Sequence, residues 1–501
     1  ALQRDATDGV QPVHVQVNNP AEIDALFDGA IVYAKGARML VMVRALIGDD
    51  ALREGLKNYF EAHKYHNATG ADLWDALGKA ANLDIGAIMK SWLEQPGYPV
   101  VEAKVVDGQL QLSQQQFFIG DGHDTGRLWQ IPLNANYKEA PQIMKEKAIS
   151  LGNYQELRQQ NGKPFRLNVG NNSHFIVKYD QTLMSDLLDH LDELNAIDQR
   201  QLLQDFRLLA DGQQLSYADI IPLLPQFADS HSEIVNTALY AIVNKLKQFV
   251  TPDSAEEKAL KKFVNQLSAK QVSRLGWEPR AGESNDDQLT RPIVLGAALY
   301  AENSEAIKAA HEIFTNNHQR LEKLSADIRP LVLRNEVKHY GSKDLFNELL
   351  EDYRETTDAS YKGDLNSAIT STPDNSLITE LISEFENADT IKPQDLRGWY
   401  RNVLANNAGQ QVAWDWIRND WDWLEKTVGG DMEFATYITV TANVFHTPTR
   451  LTEFKQFFEP KIDTPGLTRE ITMDISVIES KVKLIQAEKN AVIQALESVN
   501  R

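Results

Sequence analysis

Between Val32 and Leu46 apolar positions recur every three or four residues. Val32, Gly36, Met39, Val43 and Leu46 form one row, and Tyr33, Ala37 and Leu40 form a second beside it. Two adjacent apolar rows predict a largely buried helix. Gly48-Asp49-Asp50 stops it and offers a cap to a helix carrying Leu52, Leu56, Tyr59 and Phe60. Two more helices follow, one around Leu73, Trp74 and Leu77 and one around Ile85, Ile88, Met89 and Trp92. The breakers Gln95-Pro96-Gly97-Tyr98-Pro99 end the run, because proline cannot continue a helix and glycine frees the turn.

From Pro99 to Asp180 the period changes to two. Val101, Ala103 and Val105 alternate with polar residues up to Asp107-Gly108, and Leu110 and Leu112 resume beyond, which predicts a hairpin. Trp129, Ile131, Leu133, Ala135 and Tyr137 predict another half-buried strand. Phe165, Leu167 and Val169, then Gly170-Asn171-Asn172, then Phe175, Val177 and Tyr179 predict a second hairpin. Strands of this kind over a short stretch point to a small β-sandwich.

Beyond Gln181 helical spacing returns and persists to Arg501, with breaks at Asp211-Gly212, Thr251-Pro252 and Thr372-Pro373. Short-linked helices of this kind pack most readily as antiparallel pairs stacked into an α-solenoid. Trp414 and Trp421 lie seven apart, as do Trp416 and Trp423, the spacing of helix packing rather than of a ligand cage. The expected fold is mainly α with a small β-sandwich, in three domains covering residues 1–98, 99–180 and 181–501.

Composition narrows the chemistry. The 501 residues carry a formal charge of −20 without a basic run, which argues against nucleic-acid and anionic-membrane partners. No apolar run is long enough to predict a membrane span. There is no cysteine, which excludes disulfides, thiolate metal sites and thiol nucleophiles and suits a reducing cytoplasm. The opening Ala1-Leu2-Gln3-Arg4-Asp5 has neither an initiator methionine nor a secretory pattern, and is read as processing, truncation or missing upstream residues.

Zinc peptidases often carry His-Glu-x-x-His on a helix, two imidazoles on one face. Here His311-Glu312 is the one His-Glu start, and Thr315 stands where the second ligand belongs. His63 and His66 are three apart, more in keeping with surface imidazoles than with a metal pair. Gly430-Asp431-Met432-Glu433-Phe434 is only superficially like a Gly-x-Met-Glu-Asn amine-binding element. There is no Gly-x-Ser-x-Gly elbow and no phosphate-binding loop. On periodicity alone Tyr33 is a core residue.

Its surroundings change that reading. Pro20-Ala21-Glu22-Ile23, Phe27-Asp28, Tyr33-Ala34-Lys35-Gly36-Ala37, Tyr65-His66-Asn67-Ala68-Thr69, Asp72-Leu73-Trp74 and Gly97-Tyr98-Pro99 follow one another in the order seen in the aminopeptidase N-type zinc metallopeptidases. Asp198-Gln199-Arg200, Leu275-Gly276-Trp277 and Ala413-Trp414-Asp415 are similar to that family's helical domain, so the resemblance spans essentially the whole chain. It implies the carboxy-terminal portion of a gluzincin: the helical remnant of a thermolysin-like domain, a β-sandwich and a bowl-shaped helical domain. The tyrosine matched by Tyr33 is the family's transition-state oxyanion donor. The resemblance also implies peptide substrates, zinc in the parent enzyme but none bound to this portion, and a missing amino-terminal portion as partner. The chain alone is then expected to be inactive. The alternative is a non-catalytic helical scaffold that binds peptides.

Overall fold

The computed structural model describes residues 1–501 except the side chain of Ala21, so that member of the Pro20-to-Ile23 block lies outside the described residues. Contacts divide the chain into two units, Ala1–Leu215 and Ser216–Arg501.

In the first unit a short α1 (Leu2–Asp5) precedes a π-helix over Gly29–Lys35, which runs into α2 (Gly36–His63). Asp28 caps the π-helix, its Oδ1 accepting the Ala30 N–H at 3.0 Å. The Gly36 N–H reaches back five residues to the Ile31 carbonyl. That wider repeat rotates the following side chains away from a 3.6-residue register. The buried stripe is therefore Ile31, Lys35, Met39, Met42 and Val43. The row expected beside it turns outward, with Tyr33 68% and Leu40 49% exposed. The expectation of a largely buried helix is corrected on this face. Gly48, at φ 83° and ψ 165°, breaks α2 where the sequence places a stop. Then come α3 (Gly70–Ala81), whose Thr69 and Asp72 form a reciprocal capping box, and α4 (Ile85–Leu93).

The first hairpin forms as its turn residues dictate. β1 (Pro99–Val106) pairs antiparallel with β2 (Gln109–Gln116), Val105 opposite Leu110 and Ala103 opposite Leu112. Asp107 and Gly108 both take positive φ, as a two-residue hairpin turn requires. The strand expected from Trp129 to Tyr137 shrinks to β3 (Ile131–Pro132), paired with β4 (Ile143–Met144), because Pro132 has no N–H to donate and Asn134 is left-handed. β5 (Ala148–Asn153) joins the free edge of β2 and leads into α5 (Tyr154–Asn161).

The second hairpin does not form. β6 (Ile176–Tyr179) pairs with β1 in parallel, completing the order β5-β2-β1-β6. Its expected partner strand instead donates from Asn168 and Val169 to the carbonyls of Leu133 and Asn134. Asn168, Gly170 and Asn171 are all left-handed, and the Asn168 side chain bonds both the N–H and the carbonyl of Ser173, so the chain curls there instead of reversing. α6 (Gln181–Asp189) packs on β1 and β6, and α7 (Ala196–Asp211) on β6.

The second unit is helical from α8 (Tyr217–Ile220) to α22 (Thr468–Val499). Within it α10 (Ala255–Leu275) packs on α11 (Asn285–Tyr300), α12 (Ser304–Asn317) on α13 (Arg329–Tyr340), and α17 (Pro393–Ala405) on α18 (Gln410–Asn419). Trp414, Trp416 and Trp421 are buried, and Trp423 packs against the same core. Trp414 meets the ring of Phe445 edge-on at 5.0 Å, as helix packing requires. Among the described residues no helix is long and apolar enough to cross a membrane.

Candidate active site

Tyr33 projects from the π-helix with its ring exposed, and among the described residues no hydrogen bond involves its hydroxyl. What fixes it is the other side of the same turn. Two residues on, the Lys35 ammonium is fully buried 2.9 Å from Asp5 Oδ2 and donates to the Gly97 carbonyl at 2.8 Å. Asp5 Oδ1 accepts the Gly97 N–H at 3.1 Å, and His174 Nε2 lies 2.9 Å from Asp5 Oδ2. One carboxylate thus ties α1, the π-helix, the turn before β1 and the approach to β6. Gly97 must be glycine: its φ is +80°, and a Cβ there would come within 2.5 Å of Gln116 Nε2. Arg38, one turn beyond Lys35, donates to Asn171 Oδ1 at 2.7 Å and to the Ser173 carbonyl at 2.9 Å. Asp28, besides capping, accepts from Arg4 Nε at 2.8 Å.

The electrostatics follow from this pairing. Burial works to raise the Asp5 carboxyl, but Lys35 and His174 outweigh it and hold it at about 2. Burial lowers His174 to about 4 against the opposing pull of Asp5, with Lys35 adding to the lowering. The imidazole is therefore neutral at pH 7, its Nε2 hydrogen assigned by its carboxylate acceptor. Burial also drives the Asp205 carboxyl well above the usual range; it accepts the Val177 N–H at 3.1 Å.

The histidines singled out in the sequence do not assemble a metal site. His63 Nε2 is 3.9 Å from Asp72, and His66 is exposed. His311 bonds Glu336 at 2.8 Å and stacks on Tyr340 at 3.7 Å, while Thr315 bonds the His311 carbonyl. In the Gly430-to-Phe434 element, Glu433 pairs with Arg397 at 3.0 Å and Phe434 packs on Trp421. Among the described residues no three His, Cys, Asp or Glu side chains are grouped to hold a metal ion. The described residues of this chain do not fit a zinc centre.

Residues 1–92 match the peptidase family M1 domain, and residues 165–480, well over half the chain, match the ERAP1-like C-terminal domain. The chain belongs to the aminopeptidase N family of M1 peptidases. An aminopeptidase N of Lactobacillus helveticus is 64% identical over 99% of this chain, and one of Lactococcus lactis subsp. cremoris is 43% identical over all of it. An aminopeptidase M1 of Arabidopsis thaliana is 27% identical over 97% of it. The chain spans 59% of the length of the two bacterial relatives and 57% of the plant one.

The periodicity reading missed the buried Asp5–Lys35–His174 cluster. One signal was available: Lys35 falls four residues after Ile31 and four before Met39, a charge inside an apolar stripe, and a buried charge needs a partner.

Proposed function

We propose that this chain is the carboxy-terminal portion of a zinc-dependent aminopeptidase that removes amino-terminal residues from peptides, and that Tyr33 supplies its oxyanion donor. The observation that carries this reading is Tyr33 itself, held outward on a rigidly braced turn where periodicity would bury it. A neutral phenol offers a directed O–H to developing negative charge without adding a charge of its own. The exposed row Tyr33, Ala37 and Leu40 is the face that the upstream portion of the catalytic domain covers. That portion brings the zinc, which supplies Lewis-acid chemistry. The sheet with its two-stranded ladder forms the small sandwich of residues 99–180, and the helical pairs form a solenoid over residues 181–501. The parent enzyme is cytoplasmic.

The test compares wild type with Tyr33→Phe in the enzyme carrying its upstream portion. Loss of one such donor lowers kcat about 100- to 1,000-fold with KM little changed. Because the hydroxyl bonds nothing among the described residues, the variant should fold normally, and an unchanged kcat would remove Tyr33 from the chemistry. The present chain alone is expected to hydrolyse no aminoacyl-anilide. Peptide binding by this chain together with no activity in the longer enzyme would favour the scaffold reading.

A further inference from the structure

Within the second unit a cavity of about 580 Å³ opens between α9 (Glu233–Leu246), α10, α11 and α13. That volume lies in the range of small-molecule sites. Lys247, Arg334 and Lys338 line it, and among the described residues no carboxylate does, in a chain with 71 acidic residues against 51 basic ones. Arg334 and Lys338 stand four apart on α13 and therefore share a face. Lys247 follows α9 directly, with its ammonium 3.9 Å from the centre of the Tyr300 ring.

None of these three cations has an ion-paired or hydrogen-bonded partner among the described residues. The nearby carboxylates are engaged by other groups: Lys261 lies 3.1 Å from Glu257 and 3.4 Å from Glu302, and the Tyr300 hydroxyl donates to Glu257 at 3.3 Å. The buried Tyr240 hydroxyl, also on the cavity wall, has no hydrogen-bond partner among the described residues. Gathering like charges around a concavity is unfavourable unless an anion occupies it, and unpartnered buried donors carry a cost of their own. The rest of the wall is largely apolar, with Leu299 and Leu331 among its residues.

We propose that this cavity binds a phosphate-bearing small molecule. Lys247, Arg334 and Lys338 hold the phosphate, and the Tyr300 and leucine walls take an attached carbon body. A monoanion leaves most of the positive charge uncompensated, so at least two negative charges are required. The inference does not depend on the peptidase reading, and its test reads binding alone.

Isothermal titration of this chain with inorganic phosphate and with phenyl phosphate, at ionic strength matched with chloride, should give saturable binding at one site. Tighter binding of phenyl phosphate assigns the site to a phosphate ester, and equal binding assigns it to free phosphate. Arg334→Gln with Lys338→Gln should weaken either probe about tenfold for each charge removed. Should that double variant fail to fold, by circular dichroism, Lys247→Met carries the same expectation. Heats no larger than those with chloride, acetate binding as tightly as phosphate, or affinity unmoved by these substitutions would overturn the proposal.

Discussion

Lys35 and Lys247 each sit at the end of a helical segment in a strongly acidic chain, yet their surroundings are opposite. Lys35 is fully buried and matched: Asp5 takes its charge, Gly97 its second hydrogen bond, and His174 completes the carboxylate's shell. Lys247 is half-buried and unmatched, shares a cavity wall with Arg334 and Lys338, and touches an aromatic face instead of an acid. A matched buried charge is a structural tie whose energy is spent within the chain. A set of unmatched charges around a concavity is unfinished until something from outside completes it. The difference separates a brace from a binding site without reference to any known ligand.

The strongest way to break the comparison is to unmatch the brace. Lys35→Met keeps the length of the side chain and leaves Asp5 buried with its main countercharge gone. Removing one partner of a buried pair costs about 3–5 kcal/mol, so urea denaturation should show a large fall in midpoint. A change under about 1 kcal/mol would mean that His174 and Gly97 hold Asp5 unaided.

Acid probes the same brace more gently. His174 sits at about 4 in the folded chain against 6.5 when free. Between those values the unfolded chain takes up a proton that the folded chain refuses, so stability falls as pH drops through that window. The loss at pH 5 relative to pH 7.5 should be about 2 kcal/mol. Asp5, depressed to about 2 from 3.8, adds a further loss only below the ordinary carboxylate range. His174→Gln keeps a donor for Asp5 and removes the titration. If the variant's stability still declines from pH 7.5 to 5 as in wild type, the decline belongs to another group.

How much of this was legible beforehand differs element by element. The Asp107-Gly108 hairpin was readable because the turn chemistry and the alternation around it agree. The Gly48 break and the buried tryptophans were readable for similar local reasons. The outward turn of Tyr33 was not, because hydropathy assumes a 3.6-residue register and the π-helix departs from it through backbone bonds that leave no apolar mark. Tyr33 entered the candidate site through the ordered likeness of its neighbours to a family, while its periodicity pointed to the core. The second hairpin misled because left-handed Asn168 and Asn171, so close to Gly170, resemble a turn, but the Asn168 side chain bonds back to Ser173 and Asn171 accepts from Arg38. The cationic cavity was illegible for a simpler reason. Position 247 and positions 334 and 338 are far apart in the chain, and only tertiary packing sets them on one wall.

The smallest expected effect is also the most discriminating, because it should have the opposite sign to that of Lys35. Burial, and next the repulsion of Arg334, lower the Lys247 ammonium to about 8 from 10.5. A folded value below the unfolded one means that holding this proton costs stability at all pH values below about 8, and that the cost fades as pH rises towards the free value. Lys247→Met should therefore stabilise the anion-free chain at pH 7, by about 1 kcal/mol once solvent screening at this partly open site is allowed for. The same substitution at Lys35 destabilises. Adding phosphate should reverse the ranking, since an occupied site stabilises wild type with the logarithm of ligand concentration over dissociation constant and gives the variant little. Thermal denaturation of both proteins with and without phosphate would expose this crossing. Parallel shifts of the two proteins would make Lys247 an ordinary surface lysine and dissolve the contrast with Lys35.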